Sequence, residues 1–319
     1  MTEAKVIAVV LHFRTPHATI ECLGSLFKED VSATVLVDNS EDGGVSLLTV
    51  RGEISRLESV GMRVIVLEPG YNLGFAVGVN AGVREALRLG ATAVLLLNSD
   101  ARLRSGALRA LTAQIEADGG VAAPQLVGGA GRPVASMWYQ TLLGCMVHRW
   151  VPGAIAFHSG ACMLVSASVA EVEPFDESFF FYGEDVELSA RLLRNGHVLR
   201  RVPEAQVVHE GAGSARIGSL FYEYHTVRGH WLLARRLPRT VVGRVVACAM
   251  RIPVLSVRTV LRSWRNRSPL PLQALWMATI DVLFGRRRSL TPRCRIAAPY
   301  QDHPGDDGHG PFGQHEGNR

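Results

Sequence analysis

Residues 6–38 read VIAVVLHFRTPHATIECLGSLFKEDVSATVLVD. The two ends of this stretch, 6–13 and 34–38 (TVLVD), are short, β-branched and almost continuously apolar. That pattern predicts strands buried on both faces, as in a parallel sheet. Between them Ile20, Leu23, Leu26 and Phe27 recur at helical spacing. Working outward, 63–67 (RVIVL) predicts a third strand, about 74–89 a helix, and 92–97 (TAVLLL) a fourth strand. Strand and helix in alternation imply right-handed βαβ units and a Rossmann-like α/β layer. Ligands of such a layer bind beyond the carboxyl ends of its strands. Those ends are His12-Phe13-Arg14, Asp38-Asn39-Ser40, Pro69 to Asn72, and Asn98-Ser99-Asp100.

The 319-residue chain is 47% hydrophobic and 20% charged, with a mean hydropathy of +0.14. These values exclude wholesale disorder, collagen and coiled coil. The five cysteines are scattered, odd in number and form no CxxC pair. They read as small buried hydrophobes in a reducing compartment rather than a disulfide framework or a zinc site. The N-terminus runs from MTEAK into the first apolar run without a signal-peptide pattern.

From 119 to about 157 the pattern loosens into a Gly-, Pro- and Trp-rich stretch expected to cross the front of the sheet. Residues 161–165 (ACMLV) predict another buried strand, and 174–182 (PFDESFFFY) an aromatic loop. Residues 184–194 predict a helix with acids in its first turn, a Glu187–Arg191 pair, and Gly196 as its stop. Strand character returns over 198–208.

The net charge of +5 hides an asymmetry. Residues 220–295 hold fifteen arginines against Glu223 and Asp281, while 1–219 carry −5 and the tail from 296 carries −3. An acidic body with a basic C-terminal segment points to an anionic partner for that segment. Helices are expected at about 222–236, 239–263 and 270–285. In the second, Arg244, Arg251, Arg258 and Arg262 share one face. Such a helix suits the interface of an anionic membrane; a bundle helix with a solvated arginine stripe is the alternative. No apolar run is long enough to span a bilayer. The Gly-, His- and Asp-rich tail, 296–319, reads as disordered.

Five groups of residues carry chemistry. Asp38 ends a strand where it could accept hydrogen bonds from a base or ribose, or simply cap a turn. In 72–82 (NLGFAVGVNAG), Gly74, Gly78 and Gly82 clear one helix face for a ligand or for packing on the sheet, and the spacing is not that of the dinucleotide fingerprint. LLLNSD at 95–100 ends a buried strand in oxygen ligands suited to a hard divalent cation, or in a capping aspartate. Glu184 and Asp185 open a helix behind the aromatic loop, as a general base or as solvated first-turn acids. His209 ends a strand before a Gly-rich loop, where a metal ligand could sit.

Taken together, VDNS at 37–40, NLGFAVGVNAG at 72–82, LLLNSD at 95–100, FDESFFFYGEDVELSARL at 175–192 and His209 with its Gly-Ser loop resemble the family-2 inverting glycosyltransferases of GT-A fold. The likeness is closest to the bacterial rhamnosyltransferase and galactofuranosyltransferase-like branch, and covers roughly residues 5–235. It implies an α/β GT-A fold, a Rossmann-like nucleotide-binding sheet flanked by helices, with an Arg-rich helical extension. It divides the chain into a catalytic domain at 1–220 (nucleotide-sugar half to about 118, acceptor half from 119), the basic helices at 221–295 and the tail. Asp38 is then similar to the base contact. His12, Arg14 and Asn72 to Phe75, with Gly74, line the nucleoside pocket, and Asn80, Asn98 and Ser99 belong to the same nucleotide-binding set. Asp100 resembles the last acid of the DxD motif that holds Mg²⁺ or Mn²⁺, with Asn98 in place of the first acid. His209 resembles the histidine that completes the metal site. Asp185 is similar to the catalytic base, and Glu184 to a group orienting the acceptor.

The resemblance implies a dTDP- or UDP-linked sugar donor and a lipid-linked or small-molecule acceptor. It also implies a cytoplasmic location at the inner face of the membrane. Trp138, Tyr139 and Trp150 are open to acceptor stacking or to the core. A catalytically silent sugar-nucleotide-binding scaffold is the competing class. Nothing in the chain forms a nucleic-acid recognition motif.

Overall fold

The computed structural model describes residues 4–290 except 30, 136, 210–216, 287 and 289. The tail at 296–319, Cys294 and the loop after His209 lie outside the described residues. The first unit is β1 (Val6–His12), α1 (Pro16–Lys28) and β2 (Ala33–Asp38), as its apolar runs require. Then come α2 (Val45–Ser59), β3 (Val64–Leu67), α3 (Phe75–Arg88), β4 (Ala93–Asn98), β5 (Ala101–Leu103), α4 (Ala107–Asp118) and β6 (Val121–Val127). Three short strands, β7 (Trp138–Gln140), β8 (Cys145–Val147) and β9 (Ala154–Ala156), precede β10 (Cys162–Ser166), α5 (Ala167–Val172), α6 (Glu184–Arg194) and β11 (Leu199–His209). The chain continues through α7 (Leu220–Arg236), α8 (Val241–Asn266) and α9 (Leu270–Leu283).

The main sheet has the order β3-β2-β1-β4-β10-β6-β11-β5. β1, β2, β3 and β4 are parallel, and β10 enters antiparallel between β4 and β6. The register sets His12 opposite Asp38 and Leu11 opposite Asn98. Three strands therefore end at one level, and the chain order reverses at β1, which opens a crevice there.

The glycine face of α3 resolves in favour of packing over most of its length. A Cβ on Gly78 would lie 2.6 Å from Leu11 Cδ1, and one on Gly82 only 2.4 Å from Val9 Cγ1. The helix sits directly on β1 because these positions carry no side chain. Gly74 is different: its φ is +78°, and a Cβ there would meet Phe180 of the aromatic loop at 2.7 Å.

Two expectations are corrected. The stretch after 119 does not simply cross the front of the sheet, because β6 is one of its inner strands and β7–β9 form a second, three-stranded sheet. Pro124 disguises β6. Opposite it the β6–β11 register slips between Val202 and Gln206, where Pro124 and Pro203 both lack an amide donor.

The arginine face of α8 points inward over most of its length. Arg251 is fully buried and donates to the carbonyls of Thr141 (2.7 Å) and Leu142 (2.5 Å). Arg258 donates to His230 Nε2, and Arg262 pairs with the buried carboxylate of Glu223. Of the stripe only Arg244 is exposed. The reason is supply of acceptors: α7 and the β7–β8 turn present carbonyls, an imidazole and a carboxylate that satisfy the guanidinium donors. Tyr139 joins this network, fully buried with its hydroxyl 2.9 Å from His230 Nδ1.

Replacing Gly82 tests the α3–β1 contact. Gly82→Ala is expected to lower unfolding stability by about 1–3 kcal/mol, through overpacking against Val9, as read by urea denaturation. Stability equal to or above that of the parent would show that the close approach is dispensable.

Candidate functional site

A cleft of about 210 Å³ opens where β1, β2 and β4 end. Nine sequence-predicted residues line it: Asn72, Gly74, Phe75, Asn98, Ser99, Asp100, Glu184, Asp185 and His209. The side of the cleft next to β2 and α3 is built on Asn39. The Asn39 amide donates to Gly74 O at 2.9 Å, and its Oδ1 accepts from Leu73 N at 3.1 Å. Asn72 Oδ1 accepts from Gly74 N at 2.8 Å, closing the turn into α3. Phe75 N then donates to Phe180 O at 2.7 Å, fastening the aromatic loop to the helix start.

Four predicted residues do not line the cleft. His12 is fully buried, with its ring nitrogens 2.7 Å from Thr19 Oγ1 and 3.0 Å from Ser46 Oγ. Burial pushes its pKa below the ordinary value, with Asp38 and Asp42 opposing. Asn80 fastens Phe175 through both amide atoms. Asp38 accepts from Ser40 N in an Asx turn. Arg14 has φ +54° and donates to Ser40 O, with its guanidinium 5.0 Å from the Phe13 ring centre. These residues shape the walls behind the cleft.

Asp100 and His209 meet at the cleft, His209 Nε2 lying 3.2 Å from Asp100 Oδ1. β5 and β11 bring them together, since Ala101 pairs with His209 across the antiparallel ladder. One carboxylate and one imidazole fit a divalent cation that takes its remaining ligands from diphosphate oxygens and water. Among the described residues no set of three or more His, Cys, Asp or Glu side chains could hold a metal on its own.

The two carboxylates at the start of α6 differ in their surroundings. Asp185 accepts from Val186 N at 2.8 Å and from Gly160 N at 3.3 Å. Burial raises its pKa, and these backbone donors pull it back. Glu184 is 7% exposed, and its Oε2 has no hydrogen-bond partner among the described residues. Burial, reinforced by the charge of Asp185, pushes its pKa up to about 8. Of the two, Asp185 is the more easily ionised, because it accepts backbone N–H groups, and its charge is one of the causes that raise Glu184.

Just before them Tyr182 takes φ +68°, a strained conformation for a bulky residue. Its carbonyl is held against α7 at Gly229, where a Cβ would come within 2.4 Å. Phe221, at the start of α7, also lines the cleft. The extension therefore contributes to the site, and the expected boundary at 220/221 falls inside the cleft wall. Trp138, Tyr139 and Trp150 do not line it. Asn39, named at a strand end, and Tyr182, named in the aromatic loop, had no role of their own assigned from sequence, and Gly160 and Phe221 were not singled out at all. Asn39 was visible in VDNS, whereas Gly160 and Phe221 reach the site only through tertiary packing.

Known proteins resemble this chain in fold and, more distantly, in sequence. A mannosyltransferase from Pyrobaculum calidifontis, solved with GDP-Man and Mn²⁺, superposes with a TM-score of 0.54 at 13% identity, over 90% of this chain and 89% of that one. GalNAc-T7, solved with UDP, GalNAc and Mn²⁺, gives 0.55 at 15% identity, over 84% and 59%. In sequence, an N-acetylglucosaminyl-diphospho-decaprenol L-rhamnosyltransferase of Mycobacterium tuberculosis is 26% identical, over 67% of this chain and 78% of its own. A dTDP-rhamnosyl transferase of Shigella flexneri is 24% identical, over 73% and 81%. The profile of "Glycosyl transferase family group 2" matches residues 93–283, from β4 through α9. The chain is a GT-A-fold enzyme that belongs to the family-2 glycosyltransferases.

Proposed function

We propose that this enzyme transfers a sugar, rhamnose or a related hexose, from a dTDP- or UDP-linked donor to a hydroxyl of a lipid-linked cell-envelope glycan, with inversion. On this reading it works at the inner face of the cytoplasmic membrane. The observation that carries it is one cleft holding both an Asp100–His209 pair and the adjacent carboxyls of Glu184 and Asp185, the latter held by the N–H groups of Gly160 and Val186. The activities named for the Mycobacterium and Shigella relatives favour rhamnose and, for the former, a polyprenyl-diphosphate acceptor. A small-molecule aglycone is the second acceptor class, favoured only by the aromatic wall of Phe180, Phe181 and Tyr182.

In this reading Asn72 to Phe75 hold the nucleoside half of the donor, and Asp100 and His209 hold Mg²⁺ or Mn²⁺. Bound there, the cation would supply positive charge against the diphosphate. Asp185 takes the proton from the acceptor hydroxyl, whose oxygen attacks the anomeric carbon opposite the departing nucleoside diphosphate. A single displacement inverts the configuration. Glu184, protonated, donates a hydrogen bond that orients the acceptor. The backbone donors of Gly160 and Val186 keep Asp185 ionised and aimed.

Three measurements test this. The first is thermal shift with nucleoside diphosphates and sugar nucleotides, with and without Mn²⁺. A donor at 100 times its Kd should add about 2.7 kcal/mol of stability, and Asp100→Ala or His209→Ala should remove the metal-dependent part. No response to any nucleotide by the folded protein would overturn the transferase reading.

The second is Asp185→Asn, expected to cut kcat by about 10²–10⁴ while donor affinity stays. Parental kcat/KM should rise with pH as the Asp185 carboxyl, held above its ordinary range, ionises. An unchanged kcat in the variant would remove Asp185 from the base role.

The third concerns stability. The raised pKa of Glu184 means the folded state binds a proton that the unfolded state has lost. Its contribution is complete below about pH 4.5 and disappears as pH climbs through about 8. Glu184→Gln should therefore match the parent near pH 4.5 and exceed its melting temperature above pH 8. Parallel melting curves at both pH values would contradict the protonated state assigned to Glu184.

A further inference from the structure

The outer face of α8 inverts the usual arrangement of a surface helix. Arg251, Arg258 and Arg262 turn inward, and the side turned to water is apolar. Val242 (72% exposed), Val245 (63%), Ile252 (61%), Val257 (59%), Val260 (55%) and Trp264 (81%) follow one another along it at intervals of three to seven residues, all on the side away from Arg251, Arg258 and Arg262. From Val241 to Trp264 this stripe runs about 36 Å at 1.5 Å per residue. α9 adds Leu272, Trp276 (71%) and Leu283 beside it. A patch of this size is far larger than scattered surface hydrophobes account for.

The charges around the patch identify its occupant. Arg239 and Arg244 lie at the start of α8, Arg265 and Arg267 at its end, and Arg286 and Arg288 after α9, all exposed. The only acids of residues 220–290, Glu223 and Asp281, are buried and paired with Arg262 and Arg288. The patch is therefore apolar with a rim of one sign. A second copy meeting it face to face would set arginine against arginine with no acid between them. The chain's own tail is no better suited, since Ile296 and Phe312 are the only large aliphatic or phenyl side chains of residues 296–319. An anionic bilayer matches both features: acyl chains accept the valines and isoleucine, headgroup phosphates the arginines, and the boundary between them the two tryptophans. No helix among the described residues is long and apolar enough to cross the membrane, so the contact is in-plane.

We propose that α8 and α9 form an in-plane docking surface for an anionic membrane, entered by the apolar face of α8 with Trp264 and Trp276 at the headgroup boundary and the surrounding arginines on lipid phosphates. This deepens the lipid-linked-acceptor reading and names the surface, but it rests on residues outside the cleft. Its test reads binding rather than transfer, so either idea can fail alone.

The experiment is flotation of the full chain with vesicles of equal parts phosphatidylcholine and phosphatidylglycerol, with phosphatidylcholine vesicles as control. The parent should float with the anionic vesicles. Val245→Asp with Val257→Asp should lower the bound fraction at least about tenfold, since two charges would enter the acyl region, with the circular dichroism spectrum and the nucleotide response unchanged. Should the double variant fold poorly, the parent's tryptophan emission decides. It should shift to the blue on vesicle addition and be quenched by brominated lipid, and Trp264→Phe with Trp276→Phe should abolish both effects. The proposal is overturned if the parent does not float, if the folded double variant floats as the parent does, or if the tryptophan emission ignores the vesicles. A parent that stays in solution as a dimer, dissociated by the same double variant, would assign the face to a second copy.

Discussion

The backbone hydrogen bond from Phe75 N to Phe180 O, 2.7 Å long, is the contact on which the site depends. It joins the start of α3, at the end of the Asn72–Gly74 turn, to the aromatic loop that leads into Glu184 and Asp185. The approach needs Gly74 in a left-handed conformation and without a Cβ, and Asn39 holds that turn from the end of β2. Arg228 on α7 supports the loop from the other side by donating to Ser178 O at 2.6 Å. The end of β2, the start of α3, the aromatic loop and α7 are thus pinned together by hydrogen bonds to the backbone rather than by side-chain packing alone.

Adjacent carboxylates in a buried setting cannot both ionise cheaply, and the fold settles which one does. Asp185 receives two backbone N–H groups while Glu184 Oε2 receives none among the described residues. The same helix start therefore presents two carboxyls of unlike character side by side, a difference produced by surroundings and not by residue type. Nearby, Glu187 on the same helix pairs with Arg191 at 3.0 Å, a structural contact that stabilises α6 and leaves the first two acids to the cleft.

The helical extension follows a different logic. Burying Arg251 carries a large desolvation cost, which its bonds to backbone carbonyls offset. The consequence is a helix whose polar face locks it to α7 and the small sheet, leaving its apolar face to the outside. That inversion turns a basic segment into an apolar surface with a basic rim.

Sequence alone determined the α/β layer, because the continuous apolar runs of β1, β2 and β4 and the spacing of α1, α3 and α6 are local signals with one physical reading. It also marked Asp100, His209, Glu184 and Asp185, since strand ends and a helix start are where chemistry collects. α2 and α4 carry legible spacing in Leu47, Val50, Ile54 and Leu57, and in Leu108, Leu111 and Ile115, that the reading passed over. Tertiary structure alone decided three things. β6 joined the sheet despite Pro124, because its neighbours β10 and β11 supplied the pairing. His12 and Asn80 were drawn into walls rather than the cleft, because Thr19, Ser46 and Phe175 offered them partners. The direction in which the arginines of α8 face followed from acceptors on distant segments. A helical period shows that two faces differ, but only the acceptors packed against it determine which face is inside.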